Sequence, residues 1–452
     1  MKTAVLISYF WPPSGGVSVQ RWLRMAKYFE EFGWDLVVFT PQNPEKPVVD
    51  NSLFSQVRAS QRIVKHPIWE PYMAYRFIAG RKQESRFSAF INEKKNPGFA
   101  QSLALQLRAN VFIPDPRRLW VRPASRRLIA ELMSLEADAL ISTGPPHSMH
   151  LIGMKVAKNR SLPWIADFRD PWTGIHYFSK LPLTRVARAL HKRLERRVLC
   201  DASKVVTVST TWAKELSDLS GRPVSVIPNG YDHSDFPPGV NAVEPFLIRY
   251  FGSMVPTRNP RVLWQALAEL KSEGHVLVPE VRVELYGSID RSVVDSAADF
   301  GVGAQVTKKD YIPNAEALKL MKKSDLLLVT INQGPGARGM IPGKLYECMA
   351  SKRPVLLLGP ADGDAAVLVQ KFDAGWVADH QDVKKVKQGL ADWLTGRASK
   401  WDEEQKSNMS NQAYRFTGGT EQSQIAFKSY SRRELARNYC SLLDELHENT
   451  QV

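Results

Sequence analysis

Residues Lys2–Pro41 read KTAVLISYFWPPSGGVSVQRWLRMAKYFEEFGWDLVVFTP. Lys2–Phe10 is a continuous apolar run, as expected of a strand covered on both faces. It stops at Pro-Pro-Ser-Gly-Gly. Val17–Gly33 then carries helical periodicity and ends at a glycine, a common helix stop. Asp35–Pro41 is a second strand. Strand, helix and strand in succession form a βαβ unit, so a parallel, doubly wound sheet is predicted.

The rhythm continues, with strands predicted at Ile63–His66, Ala139–Thr143, Trp164–Phe168 and Val205–Ser209. Residues 67–127 interrupt it. They are rich in aromatics, Arg and Pro and read as an insertion with irregular helices. Pro182–Leu199 predicts an amphipathic helix. Leu183, Val186, Leu190, Leu194 and Val198 line its apolar face; Arg185, Arg188, Lys192 and Arg196 line the other. The turn-rich Val224–Gly239 marks a domain boundary.

A second alternation follows. Its strands are predicted at Leu247–Phe251, Arg282–Tyr286, Leu326–Ile331 and Val355–Leu358. Its helices are predicted at Pro260–Ser272, Ala315–Lys322, Gly343–Ala350 and Val383–Leu394, with a closing amphipathic helix at Tyr430–His447. The expected architecture is α/β: two Rossmann-like, doubly wound parallel-sheet domains facing each other across a cleft. We place them at 1–227 and 228–428, with 429–452 packing back on the first. A chain of 452 residues suits two such cores. In open α/β sheets ligands sit beyond the carboxyl ends of the strands, so the loops after strands carry the candidates.

The formal charge of +15 points to an anionic partner. It is concentrated. Arg76–Arg127 holds twelve Lys/Arg against three acids, and Arg185–Arg197 six against one. Cys200, Cys348 and Cys440 are too far apart for a disulfide framework or a metal cluster, so a reducing, cytoplasmic setting is expected. No apolar run has the length of a membrane span. The N-terminal run ends in Pro-Pro without a small-residue cleavage site, which argues against a signal peptide.

Five loops carry chemistry. Gly15 and Gly16 lie between a strand and a helix, where backbone N–H groups approach an anion; a tight packing turn fits equally well. In YFGSMVPTRNP (Tyr250–Pro260), Gly252-Ser253 ends a strand and Arg258 is placed to grip a phosphate, with Asn259 as helix cap and Pro260 at the first position. In IPGKLYECMA (Ile341–Ala350), a helix opens at Pro342-Gly343. Its N–H groups and Lys344 face an anion. Glu347, one turn on, is placed to accept from vicinal hydroxyls. A lysine in a first turn opposes the helix dipole, so a purely structural reading leaves Lys344 unexplained. STGPPHSMH (Ser142–His150) offers His147. WIADFRDPW (Trp164–Trp172) offers Asp167, Arg169 and Asp170, as an acid/base set or a self-satisfied ion pair. Asp362–Asp364 suits a helix cap better than a metal, and no metal is assigned.

Together, YFWPPSGG, IPDPRRLW, STGPPHS, PWIADFRDPW, IPNGYD, YFGSMVPTRNP and IPGKLYECMASKRPVL run in one order along nearly the whole chain. In this the chain resembles family 4 retaining glycosyltransferases of the GT-B fold, of the kind found in bacterial surface-polysaccharide and lipopolysaccharide assembly. The resemblance implies an acceptor-binding N-terminal domain, a nucleotide-sugar-binding C-terminal domain, no metal and no cofactor. It implies His147, Arg258, Lys344 and Asp170 as catalytic candidates. The implied donor-binding set is Gly15, Gly16, Gly252, Ser253, Tyr311, Ile341, Gly343, Leu345 and Glu347. Glu347 matches the second glutamate of the family's Glu-x7-Glu. The first is replaced by Gly339, and no acid occurs from Leu326 to Tyr346.

The expected partners are a UDP- or GDP-linked sugar, a glycan or polyprenyl-diphosphate-linked acceptor, and an anionic inner membrane surface on which the protein sits peripherally. A sugar-nucleotide epimerase of similar fold and a non-catalytic glycan-binding relative are the alternatives. Nucleic acid is disfavoured, because the charge lies on predicted helices without base-stacking aromatics on a sheet.

Overall fold

Buried parallel strands require apolar side chains on both faces, and the sequence supplies them twice. The computed structural model describes residues 1–45, 49–70, 106, 109–236, 246–406 and 425–451. The chain divides into Met1–Pro228 with Arg432–Val452, and Asn229–Ser431.

The first unit runs β1 (Lys2–Ile7), α1 (Val17–Met25), β2 (Trp34–Pro41), β3 (Ile63–His66), α2 (Val121–Leu135), β4 (Ala139–Gly144), α3 (Ser148–Arg160), β5 (Trp164–Phe168), α4 (Arg185–Asp201), β6 (Lys204–Thr207), α5 (Thr210–Ser220) and β7 (Ser225–Val226). Its sheet has the order β3-β2-β1-β4-β5-β6-β7, all parallel. The order reverses direction between β1 and β4. Right-handed crossovers therefore put α1 on one face and α2, α3 and α4 on the other. α2 packs on α3, and α3 on α4.

The second unit runs β8 (Leu247–Phe251), α6 (Arg261–Ser272), β9 (Arg282–Tyr286), α7 (Arg291–Asp299), β10 (Val306–Lys309), α8 (Asn314–Lys323), β11 (Leu326–Thr330), α9 (Gly343–Ala350), β12 (Val355–Leu358), α10 (Asp364–Lys371), β13 (Gly375–Ala378) and α11 (Val383–Lys406). Its order is β10-β9-β8-β11-β12-β13. Alternate strand residues feed two cores: Leu326, Leu328, Leu356 and Leu358 on one face, Leu327, Val329, Val355 and Leu357 on the other. The last helix, α12 (Arg432–Gln451), returns to the first unit. Leu435, Tyr439 and Leu443 join the core beside α1.

Several expectations change. β1 ends at Ile7, and α1 passes at Ala26 into a 3-10 segment before Gly33. In α4 the expected apolar stripe holds only toward the end of the helix: Val198 is buried and Leu194 packs on the core, but Val186 and Leu190 are exposed, and Ala187, His191 and Glu195 take the buried positions. Polar partners explain the rotation. Glu195 Oε1 accepts from the Trp172 N–H at 3.0 Å, and Trp172 Nε1 donates to His191 Nδ1 at 2.9 Å. Most of the expected insertion, 71–105 and 107–108, lies outside the described residues.

Candidate functional site

In the second unit β8 and β11 are neighbours, so the loops after them meet. Lys344, in the first turn of α9, reaches back to β8. Its Nζ donates to the Phe251 carbonyl at 2.9 Å and lies 3.4 Å from the Tyr250 ring centroid. Gly252 follows with φ +119°, a conformation that favours glycine. A Cβ there would stand 3.8 Å from Lys344 Nζ. Arg258 Nε donates to Asn332 Oδ1 at 2.8 Å, and its NH1 to the Ser253 carbonyl at 3.3 Å. Asn332, buried at the end of β11, thus aims the arginine.

The electrostatics follow from crowding. Burial pulls Lys344 below the usual lysine range; Tyr250 resists and Arg258 adds to the fall. Burial pushes the Tyr250 phenol up, but Lys344 and Arg258 outweigh it and leave the phenol below its usual value. Two cations and the opening N–H groups of α9 therefore share one place, which an anion would relieve. Glu347 is buried one turn further on the same helix.

The other candidates of this unit fall into place around that group. Gly343 opens α9, Ile341 is half-buried just before it, and Tyr311 is exposed after β10. Leu345 does not face a ligand: its side chain lies in the core and its N–H bonds to the Pro342 carbonyl. Asn259 does not cap α6. Pro260 holds that position, and Asn259 Oδ1 accepts from Trp264 Nε1 at 3.2 Å. Asp362 and Asp364 do not cap α10 either, since Gly363 is its cap. Asp362 pairs with Arg338 at 2.9 Å, and the Asp364 N–H donates to the Arg338 carbonyl at 2.7 Å. They brace the loop in which Gly339 is buried.

In the first unit β1, β4 and β5 are adjacent, so their loops share the carboxyl edge. Gly16 caps α1 with φ +87°, and nothing lies within 4 Å of a Cβ built on it. Gly15 is buried behind it. Arg169 ties the loops together. Its Nε and two terminal nitrogens donate to the carbonyls of Gly144, Ser18 and Pro145 at 3.1, 2.7 and 2.6 Å. Asp170 follows, half-buried.

Asp167 is not an acid/base group. It is wholly buried and accepts from Trp22 Nε1 at 2.8 Å, Thr143 Oγ1 at 2.8 Å and Tyr439 OH at 2.7 Å, with Arg21 at 3.5 Å.

His147 caps α3 and is buried, stacked on Trp172 with centroids 5.1 Å apart and planes at 6°. Burial, with His150, Arg169 and His191 nearby, holds its pKa well below the usual range, so the ring is neutral. The N-terminus of α3 is already met by a carboxylate: Asp115 accepts from the Ser148 N–H and Oγ, each at 2.9 Å.

Behind His147 a buried hydrogen-bonded chain links Trp164, Ser142 and His150. Trp164 Nε1 donates to Ser142 Oγ at 2.8 Å, and Ser142 Oγ lies 2.9 Å from His150 Nδ1. The serine hydroxyl accepts from the indole and shares one further hydrogen bond with Nδ1. Burial pushes His150 down to about 3. A Cβ on Gly144 would stand 2.5 Å from His150 Nε2 and 3.1 Å from His147 Nδ1, so both ring edges converge on this glycine.

Motif reading missed Asn332, Tyr250, Asp115 and His150. Tyr250, Asp115 and His150 lie within quoted motifs that gave them no role, and Asn332 lies in none. Among the described residues no group of His, Cys, Asp and Glu is placed to hold a metal.

Two doubly wound parallel sheets, with candidate residues gathered in the loops at their strand ends, define a two-unit Rossmann-like protein. Family models bear on what kind. One described as Glycosyltransferase Family 4 matches residues 90–235, and one described as Glycosyl transferases group 1 matches 234–416. The chain is a family-4-like glycosyltransferase of the GT-B fold.

Among solved structures it is similar to sucrose-phosphate synthase from Thermosynechococcus elongatus, with 14% identity, 99% of this chain and 100% of that chain covered, and TM-score 0.62. It is similar to Anabaena HepE in complex with UDP and glucose, with 13% identity, 98% and 100% covered, and TM-score 0.59. It is also similar to WaaG, a glycosyltransferase involved in lipopolysaccharide biosynthesis, with 15% identity, 99% and 98% covered, and TM-score 0.52. At these identities the likeness is one of fold. No curated protein matches the chain significantly.

Proposed function

We propose that this glycosyltransferase moves a sugar from a UDP- or GDP-linked donor to a glycan or polyprenyl-diphosphate-linked acceptor, with retention and without a metal, in bacterial surface-polysaccharide assembly. One observation carries the donor reading: Arg258 and Lys344 converge with the first turn of α9 beside Gly252-Ser253. Such a group suits a diphosphate, and Glu347 suits a ribose. HepE was crystallised with UDP and with UDP-glucose, which supports a nucleotide-sugar donor here.

The hard step is departure of a nucleoside diphosphate as negative charge develops on it. Two cations and a helix N-terminus stabilise that charge. The bond from the anomeric carbon to the β-phosphate oxygen breaks. The acceptor oxygen bonds to the same face of that carbon, and its proton passes to the departing phosphate oxygen. No carboxylate stands at 339 to act as a nucleophile, so a front-face substitution fits better than a covalent intermediate. A neutral His147 or Asp170 is the subordinate base in this reading.

The buried Gly339 favours the second reading, a non-catalytic glycan-binding relative. A thermal-shift panel of UDP, GDP, ADP, CMP and their sugar conjugates separates the two. One nucleotide should stabilise the protein, by about 2.7 kcal/mol at a hundred times its dissociation constant. Lys344→Ala and Glu347→Ala should abolish the effect. A shift from none of these ligands supports glycan binding instead. Turnover of a sugar nucleotide without acceptor supports an epimerase.

A further inference from the structure

Two strand ends of the second unit are tied together by one histidine. The turn from β13 to α11 closes where the Asp382 N–H donates to the Asp379 carbonyl at 3.1 Å, and His380 sits inside it. Its Nε2 lies 2.8 Å from the carbonyl oxygen of Ile331, the residue after β11. A carbonyl only accepts, so Nε2 carries the ring proton and donates in this bond. Burial holds the His380 pKa below the usual histidine range, against the opposing pull of the Ile331 carbonyl and Asp379, so the ring is neutral. The cost is Nδ1, which is buried without a hydrogen-bond partner among the described residues.

β12 stands between β13 and β11, so this bond spans two strand spacings, about 9.6 Å at the usual separation. Gly359, which follows β12, makes room for the far end. A Cβ on it would stand 3.0 Å from Ile331 Cβ and 3.0 Å from Ile331 Cδ1. Ile331 thus packs against a position without a side chain, and its N–H donates to the Leu358 carbonyl at 2.9 Å. The Ile331 carbonyl lies in the same peptide plane as the Asn332 N–H. Asn332 is buried, and its Oδ1 accepts from Arg258 Nε at 2.8 Å and from Thr257 Oγ1 at 3.2 Å. A hydrogen bond on that peptide therefore sets the point from which the Asn332 side chain starts.

We infer that His380 is a positioning residue of the donor site: by gripping the Ile331–Asn332 peptide it holds the Asn332 amide at the angle that aims Arg258. His380 meets no ligand group itself. Its grip passes from the turn after β13, through the end of β11, to the loop after β8 that carries Arg258. The inference rests on the donor reading above, in which Arg258 meets the diphosphate. A merely structural bond would stabilise the unit without favouring one part of a nucleotide over another. An aiming bond favours the diphosphate alone.

Calorimetric titration of the full chain with UDP, GDP, uridine and guanosine decides it. For whichever diphosphate the wild type binds, H380A should weaken binding about fivefold, the worth of one neutral hydrogen bond, and leave the matching nucleoside as in wild type. H380Q keeps a side-chain N–H donor and should recover most of that loss. N332A/H380A should bind like N332A alone, because His380 acts through Asn332. If H380A does not fold, H380F, which keeps a ring and loses the donor, takes its place in each comparison. A lowered melting temperature with unchanged diphosphate affinity overturns the inference, since that pattern marks a structural bond. So do equal losses for diphosphate and nucleoside, or additive losses in the double variant. A wild type that binds none of the four overturns the donor reading and this inference with it. A wild type that binds a diphosphate, with H380A and H380F binding it equally well, overturns this inference alone.

Discussion

Tyr439, on the last helix, donates its hydroxyl proton to Asp167 at the end of β5 over 2.7 Å, although 272 residues separate them. The contact fastens α12 to the first unit through a buried charge. Arg21 completes the cluster and also donates to the carbonyls of Ile227 and Pro228 at 2.7 and 2.6 Å. Tyr439→Phe should cost about 1.5–3 kcal/mol, the worth of a hydrogen bond to a charged group. Asp167→Ala should cost more, about 3–5 kcal/mol, because it strands Arg21. Urea unfolding midpoints check both, and a Tyr439→Phe protein as stable as wild type would contradict this role.

Acid should destabilise the first unit in two stages. His150 falls to about 3 and His191 to about 4, both chiefly through burial. Unfolded histidine titrates near 6.5. The unfolded state therefore takes up protons first, and stability is lost as pH falls below about 6.5. For His150 alone the loss from pH 6.5 to 5 is about 2 kcal/mol. Burial opposes ionisation of Asp167, but Arg21, Tyr439 and Trp22 prevail and hold its carboxyl below the usual range. Its contribution persists above the unfolded carboxylate range and disappears only as pH drops further, through the depressed value. Melting temperatures at pH 7.5, 6.5 and 5 should show the first stage, and His150→Gln should flatten it.

Gly144 ends β4 and Gly16 caps α1, and they should respond differently to alanine. A Cβ at Gly144 collides with the His150 and His147 rings. Gly144→Ala should cost about 1–3 kcal/mol through overpacking and should shift Trp172 fluorescence as the stacked His147 moves. Gly16→Ala meets open space and is strained only by its backbone, φ +87° with ψ 179°, a region essentially restricted to glycine, at about 1–3 kcal/mol. Equal melting temperatures with unchanged fluorescence in Gly144→Ala would show that the two rings do not depend on that gap.

The fold was readable because strands in a parallel sheet are apolar on both faces. Leu326–Thr330 and Val355–Leu358 appear in the sequence as unbroken runs for that reason. β10 was not readable. It is an edge strand, Val-Thr-Lys-Lys, with three of its four residues exposed, so no apolar run marks it. β7 has two residues and leaves no period to detect. Within α4, periodicity misplaced the buried face because a glutamate and a histidine take core positions when backbone and indole partners await them. Lys344 was conspicuous because a first-turn lysine opposes the helix dipole. Asn332 and Asp115 were silent, since their partners Arg258 and Ser148 lie 74 and 33 residues away and meet only in the fold.

Asn332 supplies the sharpest test of the second unit. It touches no proposed ligand group. Its Oδ1 accepts from Arg258 and from Thr257 Oγ1, so its proposed role is to aim the guanidinium. Lys344→Ala removes a charge that the proposed diphosphate meets directly, and also the bond to the Phe251 carbonyl. The two variants should therefore differ. Lys344→Ala should abolish detectable nucleotide binding. Asn332→Ala should weaken it about tenfold, the cost of freeing one charged donor. Asn332→Asp places an anion against Arg258 and should weaken a diphosphate-bearing ligand further than alanine does, while the bare nucleoside binds as in wild type. Calorimetric titration of UDP, GDP and the matching nucleosides measures each case. If Asn332→Asp left diphosphate affinity unchanged, Arg258 would not be the group that meets the phosphate, and the donor site would have to be redrawn around Lys344 alone.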